Sequence, residues 1–198
     1  MSILTEGLPD SVNVCGKEYK IHTDYRIWLK FESVIFDLQK NNFQKMTDAI
    51  IACIDKSKNK LLPENLQELI VALMDFHRCN EKAEIKKVNE KEIRKAPVFD
   101  FEEDAGYIYA AFLAQYGIDL IDIPYLHWFK FNALFRSLED TNKIMKIMSW
   151  RDMDLSKIKD SEQRQVYRKL KETFALTDKR TNEERSSDND AALSEMFF

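Results

Sequence analysis

Glycine and proline are scarce in this sequence, with four of each among 198 residues. Turns depend on these residues for positive φ angles and fixed bends, so their scarcity favours helices over a β-rich fold. The glycines are also too few to build a phosphate-binding loop, and neither GxGxxG nor GxxxxGK[ST] occurs. The sequence therefore argues against a nucleotide-dependent enzyme.

Cysteine and long apolar runs are equally limited. Cys15, Cys53 and Cys79 are an odd number of widely spaced thiols with no CxxC pair, which is typical of reduced, structural cysteines. No run approaches the ~20 apolar residues of a membrane span. The first residues, MSILTEGLPDSV, lack the basic region and apolar core of a secretory signal. We therefore expect a cytosolic protein without a membrane partner.

An excess of positive charge is also missing, since the formal net charge is -4 and the sequence pI is about 5.5. Dedicated nucleic-acid binders usually carry a basic face, so we expect no nucleic-acid partner. One segment near the C-terminus is locally basic, and it contains Lys157, Lys159, Arg164, Arg168, Lys169 and Lys171. It could meet nucleic acid or an acidic partner, but the overall acidity favours an ordinary solvated helix face.

The sequence has 44% hydrophobic and 32% charged residues, as in a soluble globular domain with a real core. Near its start, Val12, Val14, Tyr19 and Ile21 alternate with polar residues around a turn that contains Gly16. This pattern predicts a short β-hairpin. An isolated hairpin is marginal in water, so we expect it to pack on helices.

Apolar residues recur at three- and four-residue spacing through most of the remaining chain, which predicts amphipathic helices. In the first of them the repeat is Ile27, Trp28, Phe31, Ile35 and Leu38. The expected helical ranges are about 24–38, 44–53, 63–76, 102–116, 124–138, 140–151 and 161–174. The predicted fold class is mainly α, a bundle of about six helices with a short N-terminal β-hairpin.

Two segments are predicted to differ from this bundle. Residues 80–97 are charged with little to bury, which indicates a solvated helix or a mobile linker. The stretch TDKRTNEERSSDND, from Thr177, has no apolar side chain and is predicted to be disordered. The sequence then ends in the apolar tip ALSEMFF, which is either a docking peptide or a frayed terminus. We therefore expect one helical domain at 1–176 and a polar tail at 177–198.

The densest group of aromatic residues lies in YGIDLIDIPYLHWFKF, residues 116–131. Gly117 can end one helix with a left-handed cap, Asp122 can cap the next, and Pro124 fits its first turn. This density indicates a buried helix entry or a docking surface. The stretch has no set of polar groups that could carry out a reaction.

Asp100, Glu102, Asp104 and Gly106 superficially resemble a calcium-binding loop. That loop requires glycine at position six and a carboxylate at position twelve, whereas here glycine is seventh and position twelve is Ala111. Acidic residues at a helix start explain the cluster better, because they favour the positive end of the helix dipole. We expect no metal and no cofactor.

The three histidines, His22, His77 and His127, are far apart in sequence. His127 beside Trp128 could act as a base, but a histidine on an aromatic helix more often makes one structural hydrogen bond. An enzyme using His22, Asp24 or His127 is therefore a remote alternative, and no catalytic residue is assigned.

Two segments resemble a known family: YKIHTDYRIW at residues 19–28, and YGIDL at 116–120 continuing through Pro124, His127-Trp128 and Phe131. The chain is similar to small tail-region proteins of siphophages and prophages of Gram-positive bacteria, whose genes lie next to the tape-measure gene. The resemblance extends from about residue 8 to residue 170 and includes Arg151. Residues 80–95 and those beyond 177 lie outside it.

This resemblance implies a non-enzymatic tail assembly chaperone in the host cytoplasm that holds the tape-measure protein before tail-tube polymerisation. The alternative that it leaves open is a structural tail or connector subunit retained in the virion. Expected partners are the tape-measure protein or other tail proteins, together with self-association. The methionine and aromatic faces belong to the core or form a groove for an amphipathic helix.

Eight residues are the candidates for partner binding or for defining the fold: Trp28, Tyr116, Tyr125, His127, Trp128, Phe131, Met145 and Met148. Asp24 and Asp122 are the expected helix caps.

Overall fold

The computed structural model describes residue 5 and residues 7–37, 39–59, 61–80 and 97–177. Within these residues, seven α-helices and an N-terminal hairpin confirm the predicted fold class. In chain order the elements are β1 (Ser11–Val14), β2 (Lys17–Lys20), α1 (Tyr25–Ile35), α2 (Asn42–Cys53), α3 (Leu66–His77), α4 (Ala105–Tyr116), α5 (Trp128–Arg136), α6 (Lys143–Asp152), a 3-10 turn (Leu155–Lys157) and α7 (Ser161–Thr173). Leu38, residues 81–96 and residues 178–198, for which the sequence made predictions, lie outside the described residues.

The hairpin pairs β1 with β2 in antiparallel register, with Val14 opposite Lys17. Cys15 and Gly16 form its turn with φ angles of 49° and 79°. Two successive positive φ angles characterise a type I′ turn, whose twist matches that of the strands. The amide and the thiol of Cys15 both donate to the Glu68 carboxylate, at 2.8 and 2.9 Å. These bonds stabilise Cys15 at its positive φ. The hairpin is thereby attached to α3, as its marginal intrinsic stability requires.

Side-chain caps set the starts of several helices. Asp24 accepts a hydrogen bond from the amide of Arg26 at α1, and Asp160 does the same for Gln163 at α7. Asn41 begins α2 with a capping box. Each cap satisfies an amide that has no partner within its helix, which is typically worth about 1 kcal/mol. The predicted cap at Asp24 and the predicted start of α7 at Ser161 are both confirmed.

Three other helices begin later than predicted. The α3 helix starts at Leu66 rather than Pro63, because Asn65 caps it by accepting from the amide of Glu68. The α4 helix starts at Ala105 rather than 102, after a turn closed by Asp100. The α6 helix starts at Lys143, with residue 142 as its N-cap. The two predicted starts, 140 and 141, lie before it.

The connection between α4 and α5 corrects a further prediction. Gly117 ends α4 with a φ of 65°, as expected for a left-handed cap. Asp122 does not cap α5, and Pro124 is not in its first turn, because α5 begins at Trp128 with His127 as its cap. Asp119 instead closes a turn by accepting from the amides of residues 121 and 122. The chain at 117–127 is therefore a structured loop.

The core is formed by buried side chains from α1 to α6, and aromatic rings dominate it. Its largest fully buried side chains include Trp28, Phe31, Phe76, Phe112, Trp128 and Phe131. Aromatic side chains of this kind bury roughly 150–250 Å² each and supply much of the stabilisation of a small domain. Across the described residues, none of the helices is both long and apolar enough to span a bilayer.

Candidate functional site: an aromatic groove

The two sequence segments that carry the family resemblance are joined by backbone pairing. The amide of Trp128 donates to the carbonyl of Thr23 at 2.8 Å, and the amide of Tyr25 donates to the carbonyl of Leu126 at 2.9 Å. These bonds form an antiparallel bridge between the starts of α1 and α5. The first turns of the two helices are consequently held side by side.

Charged and polar groups of α1 fix the loop that precedes α5. One Asp24 oxygen accepts from the amide of Leu126, and the carboxylate also pairs with the Arg26 guanidinium at 3.2 Å. Arg26 then donates to the carbonyls of Leu120 and Ile123, at 3.1 and 2.6 Å. Asp24 is thus both a helix cap and a loop anchor. Its carboxylate is used for structure.

His127 is buried at the start of α5, with 4% of its surface exposed. Its Nδ1 accepts from the amide of Phe129 at 3.0 Å, so the proton of the neutral ring lies on Nε2, which donates to the carbonyl of Pro9 at 3.0 Å. Burial lowers the pKa of His127, because the charged ring loses its hydration, and nearby Lys130 adds to the effect. Both ring nitrogens are occupied by backbone groups.

These contacts weaken the hypothesis that the chain is an enzyme using His22, Asp24 or His127. Asp24 and His127 do lie next to each other, but each is engaged by the fold, and His22 lies at the surface. Among the described residues, no cluster of histidine, cysteine or acidic side chains could hold a metal ion. The Asp104 carboxylate, part of the calcium-like pattern, is bound to Arg151 at 2.6 and 3.0 Å.

Two tryptophans support the site: Trp128 forms its floor, and Trp28 lies in the core beneath it. Trp28 and Trp128 are almost fully buried, and each ring nitrogen donates to a backbone carbonyl at 2.8 Å, of His22 and His77 respectively. Their ring centroids are 6.5 Å apart. Phe131 extends this stack, with its centroid 5.7 Å from that of Trp128. The rings are therefore fixed both by packing and by hydrogen bonds.

Above this floor lies an open, apolar cleft of about 650 Å³, which we call the aromatic groove. Its walls come from the ends of α1 and α3, from α5 and α6, and from residues 97–104. The lining residues are Phe31, Glu32, Ile35, Phe36, Met74, His77, Arg78, Phe99, Phe101, Trp128, Asn132, Phe135, Arg136, Met145 and Met148. The groove is thus built mainly of aromatic and methionine side chains from five separate parts of the chain.

The few polar groups of the aromatic groove lie at its rim. His77 Nε2 is 3.0 Å from a Glu32 oxygen, which forms a paired edge on one side. Arg78 and Arg136 are exposed, and Arg78 lies 3.7 Å from Asp75, so the rim carries charges of both signs. Phe36 is 69% exposed, so a large apolar ring stands in water at the mouth of the groove. An apolar cleft with a charged rim is typical of a surface that binds another polypeptide.

A buried ion pair holds one wall of the aromatic groove. Arg151 of α6 binds Asp104 through two nitrogens and also donates to the carbonyl of Val98 at 3.0 Å and to that of Phe174. These contacts fix residues 97–104, from which Phe99 and Phe101 project into the groove. A bidentate arginine contact of this kind has a strict geometry, so it also sets the position of the wall.

The structure distributes the predicted site residues over several places. Trp128, Met145 and Met148 line the aromatic groove, whereas Trp28 and Phe131 lie in the core beneath it. His127 caps α5, as described above. Away from the groove, the Tyr116 hydroxyl donates to the carbonyl of residue 134, and the Tyr125 hydroxyl lies 2.6 Å from Thr23 Oγ1 on an exposed loop.

Sequence reasoning did not identify most of the other lining residues, among them Phe36, Met74, Phe99 and Phe101. Phe99 and Phe101 belong to a VFDF sequence directly after Pro97, and two phenylalanines in a short loop were the available signal. Phe36 and Met74 stand at the ends of helices, where the helical repeat gives no separate indication. Their role depends on which helices meet, and the repeat alone does not determine that.

Residues 4–176 of the chain match the family described as Bacteriophage Gp15 protein. No curated protein and no solved structure matches.

Proposed function

The chain belongs to the bacteriophage Gp15 protein family, and from this premise we propose that it is a tail assembly chaperone which binds the tape-measure protein before the tail tube polymerises. The coarser conclusion, a structural or assembly protein of a phage, follows from the family itself. The observation that carries the finer proposal is the aromatic groove. In this proposal the chaperone acts in the host cytoplasm and catalyses no reaction.

The chemistry of the groove suits an amphipathic helical client. Long helical chains expose apolar stripes before assembly and aggregate unless these stripes are covered. A helix docks by inserting side chains spaced three or four residues apart, and the cleft of about 650 Å³ offers apolar space for such side chains. Met74, Met145 and Met148 are flexible and polarizable, so they can adapt to different client side chains.

The two arginines at the rim add a preference for the charge of the client. Arg78 and Arg136 favour a helix with acidic residues beside its apolar stripe, because complementary charges orient the two partners on encounter. The contribution is modest at exposed positions and decreases with salt. Several weak contacts along one long client would be multiplied by avidity.

The experiment is co-expression of the chain with its tape-measure protein, followed by affinity capture at low salt. Phe36→Asp places a charge at the mouth of the aromatic groove, while 69% exposure of Phe36 implies little cost to the fold. Capture should decrease at least tenfold, which corresponds to about 1.4 kcal/mol.

The matched control is Phe43→Asp, because Phe43 is 70% exposed on α2 and does not line the groove. This variant should retain normal capture. If the native chain retains no tail protein, the chaperone proposal is wrong. If both variants capture normally, the groove is not the binding surface.

A structural tail or connector subunit is the alternative function, since family membership covers both roles. Mass spectrometry of purified virions distinguishes them. A chaperone should be absent from finished particles, and presence at a fixed stoichiometry would favour the structural subunit.

A further inference from the structure

The tail of the chain leaves the folded domain next to the aromatic groove. Thr177, the last described residue, donates from its amide to a Glu103 oxygen at 3.0 Å, and its hydroxyl donates to the same oxygen at 3.2 Å. Glu103 is only two residues from Phe101, which lines the groove. Thr177 therefore lies within about 10 Å of Phe101, counted as two residues of backbone and one hydrogen bond. The next residues of the chain start from this point.

The sequence beyond this point has an uneven composition. Residues 178–190, DKRTNEERSSDND, contain no apolar side chain, whereas residues 192–198 read ALSEMFF. A polar stretch of this composition has no side chain to bury in an apolar groove and serves only as a spacer. Fully extended, the residues up to Met196 span roughly 60 Å, compared with roughly 40 Å for the diameter of a domain of this size. The spacer is therefore long enough to reach any part of the groove.

The ALSEMFF segment matches the groove in chemistry. Its methionine and phenylalanines are the side-chain types that line the aromatic groove, and its only charged side chain, Glu195, is opposite in sign to Arg78 and Arg136 at the rim. We propose that residues 192–198 bind in the aromatic groove of the same chain, with Phe197 and Phe198 in the positions that a client helix would occupy. The inference rests on the groove of the proposed function and makes the tail an internal competitor.

Tethering makes even a weak contact effective. A short flexible linker holds its ligand at an effective concentration on the order of millimolar, so an intrinsic Kd of about 0.1 mM gives roughly 90% occupancy. A client that competes for the same groove would then bind about tenfold more weakly to the full chain than to a chain whose segment cannot dock. The tail would thus restrict the groove to clients with many contacts.

Methionine methyl groups report on the groove without any client. Met74, Met145 and Met148 line it, whereas Met46 and Met153 do not. In the full chain with carbon-13-labelled methionine methyl groups, Phe197→Ser combined with Phe198→Ser should shift the three groove signals and leave those of Met46 and Met153 unchanged. The reason is that docked phenylalanine rings alter the magnetic shielding of methyl groups beside them.

Two controls make the assignment specific. A Ser186→Ala, Ser187→Ala variant changes the spacer alone and should leave all methyl signals as in the native chain. In the Phe197→Ser, Phe198→Ser variant, added peptide ALSEMFF should return the groove signals towards their native positions in a saturable way, and peptide ALSEMSS should not.

Unchanged groove signals in the double variant would overturn the inference. The same result is expected if another segment, such as residues 81–96, fills the groove in place of residues 192–198. A difference that grows with protein concentration would also overturn it, since the segment would then occupy a second copy. The test is independent of client capture: docking of the segment can hold while the chaperone proposal fails, and the reverse result is equally distinguishable.

Discussion

Trp128 contributes to the core and to the aromatic groove at once. Its side chain is 1% exposed, its indole nitrogen donates to the carbonyl of His77, and its ring stacks on that of Phe131. A single side chain therefore ties α5 to the end of α3 and supports the groove from below. Fold stability and groove shape are coupled at this residue.

Trp128→Ala should lower the free energy of unfolding by about 3–5 kcal/mol, because it removes a large buried ring and leaves a cavity. Urea unfolding followed by circular dichroism measures the change. Trp150→Ala, at a partly buried ring that contacts Phe174 in a tilted arrangement, is the control and should cost less. A Trp128→Ala chain with native stability that no longer binds its partner would make this residue an interface side chain instead.

His127 makes stability depend on pH in a specific direction. Burial lowers the pKa of the folded residue below the value of about 6.5 that it has in an unfolded chain. The unfolded state therefore binds more protons at acidic pH, so the stabilisation is complete above about pH 6.5 and is lost as pH falls through the lowered pKa. The charges nearest the ring, Lys130 and Asp10, act in opposite directions on this pKa.

Urea titrations between pH 8 and pH 5 test this prediction. As pH falls, the free energy of unfolding of the native chain should decrease more steeply than that of His127→Asn, by at most about 1.4 kcal/mol per pH unit. The asparagine keeps a helix-capping oxygen but does not titrate. Parallel pH curves for the two proteins would show that His127 does not cause the acid sensitivity.

Among the helices and strands, local signals predicted some elements well and others poorly. The hairpin, α1 and α7 were predicted near their observed positions because their turn and cap residues lie directly beside the apolar repeat. The start of α5 was misplaced because Asp122 and Pro124 form a locally convincing helix start. Contacts from α1, made by Tyr25 and Arg26 to the carbonyl of Leu120, hold this loop in another conformation.

The C-terminal cap of α4 offers a paired test of backbone conformation. Gly117 has a φ of +65°, whereas Gly106 lies within α4 at a negative φ, and a β-carbon would meet no atom within 4 Å at either site. Gly117→Ala should therefore destabilise the protein by about 1 kcal/mol, since an L-residue is strained there. Gly106→Ala should stabilise it by about 0.5–1 kcal/mol. Thermal unfolding measures both, and equal effects would refute the assigned backbone conformations.

For the molecule as a whole, the Arg151–Asp104 pair connects the wall of the aromatic groove to α6 and α7. The side chains of Arg151 and Asp104 are only 9% and 2% exposed. Removal of one partner leaves a buried charge without compensation, which is far more costly than the loss of a surface ion pair.

Arg151→Met should therefore destabilise the protein by about 3–5 kcal/mol. Lys157→Met, which removes an exposed ion pair with Asp154, should change stability by less than about 1 kcal/mol. The double variant Arg151→Met, Asp104→Asn should recover part of the loss, because it removes the isolated charge. Denaturant unfolding of all three variants provides the comparison, and a small effect of Arg151→Met would mean that water compensates Asp104.

The aromatic groove itself was beyond sequence reasoning. Helical repeats predicted that Met145, Met148 and Trp128 lie on apolar faces, but a repeat does not tell which faces stay uncovered. The groove exists because α1 and α3 end beside α5 and α6 while residues 97–104 fold against them. That arrangement is a property of tertiary packing, so only the types of its lining residues were predictable.

The pairing of residues 23–25 with residues 126–128 also has a consequence for the synthesis of the protein. Closing a loop of about 100 residues costs roughly 2 kcal/mol more entropy than closing one of ten, and the ribosome must first deliver Trp128. The bonds that position α1 against α5 can therefore form only after most of the polypeptide has been translated. Until then Trp28 lacks its partner ring, and the nascent chain is most vulnerable to aggregation in this interval.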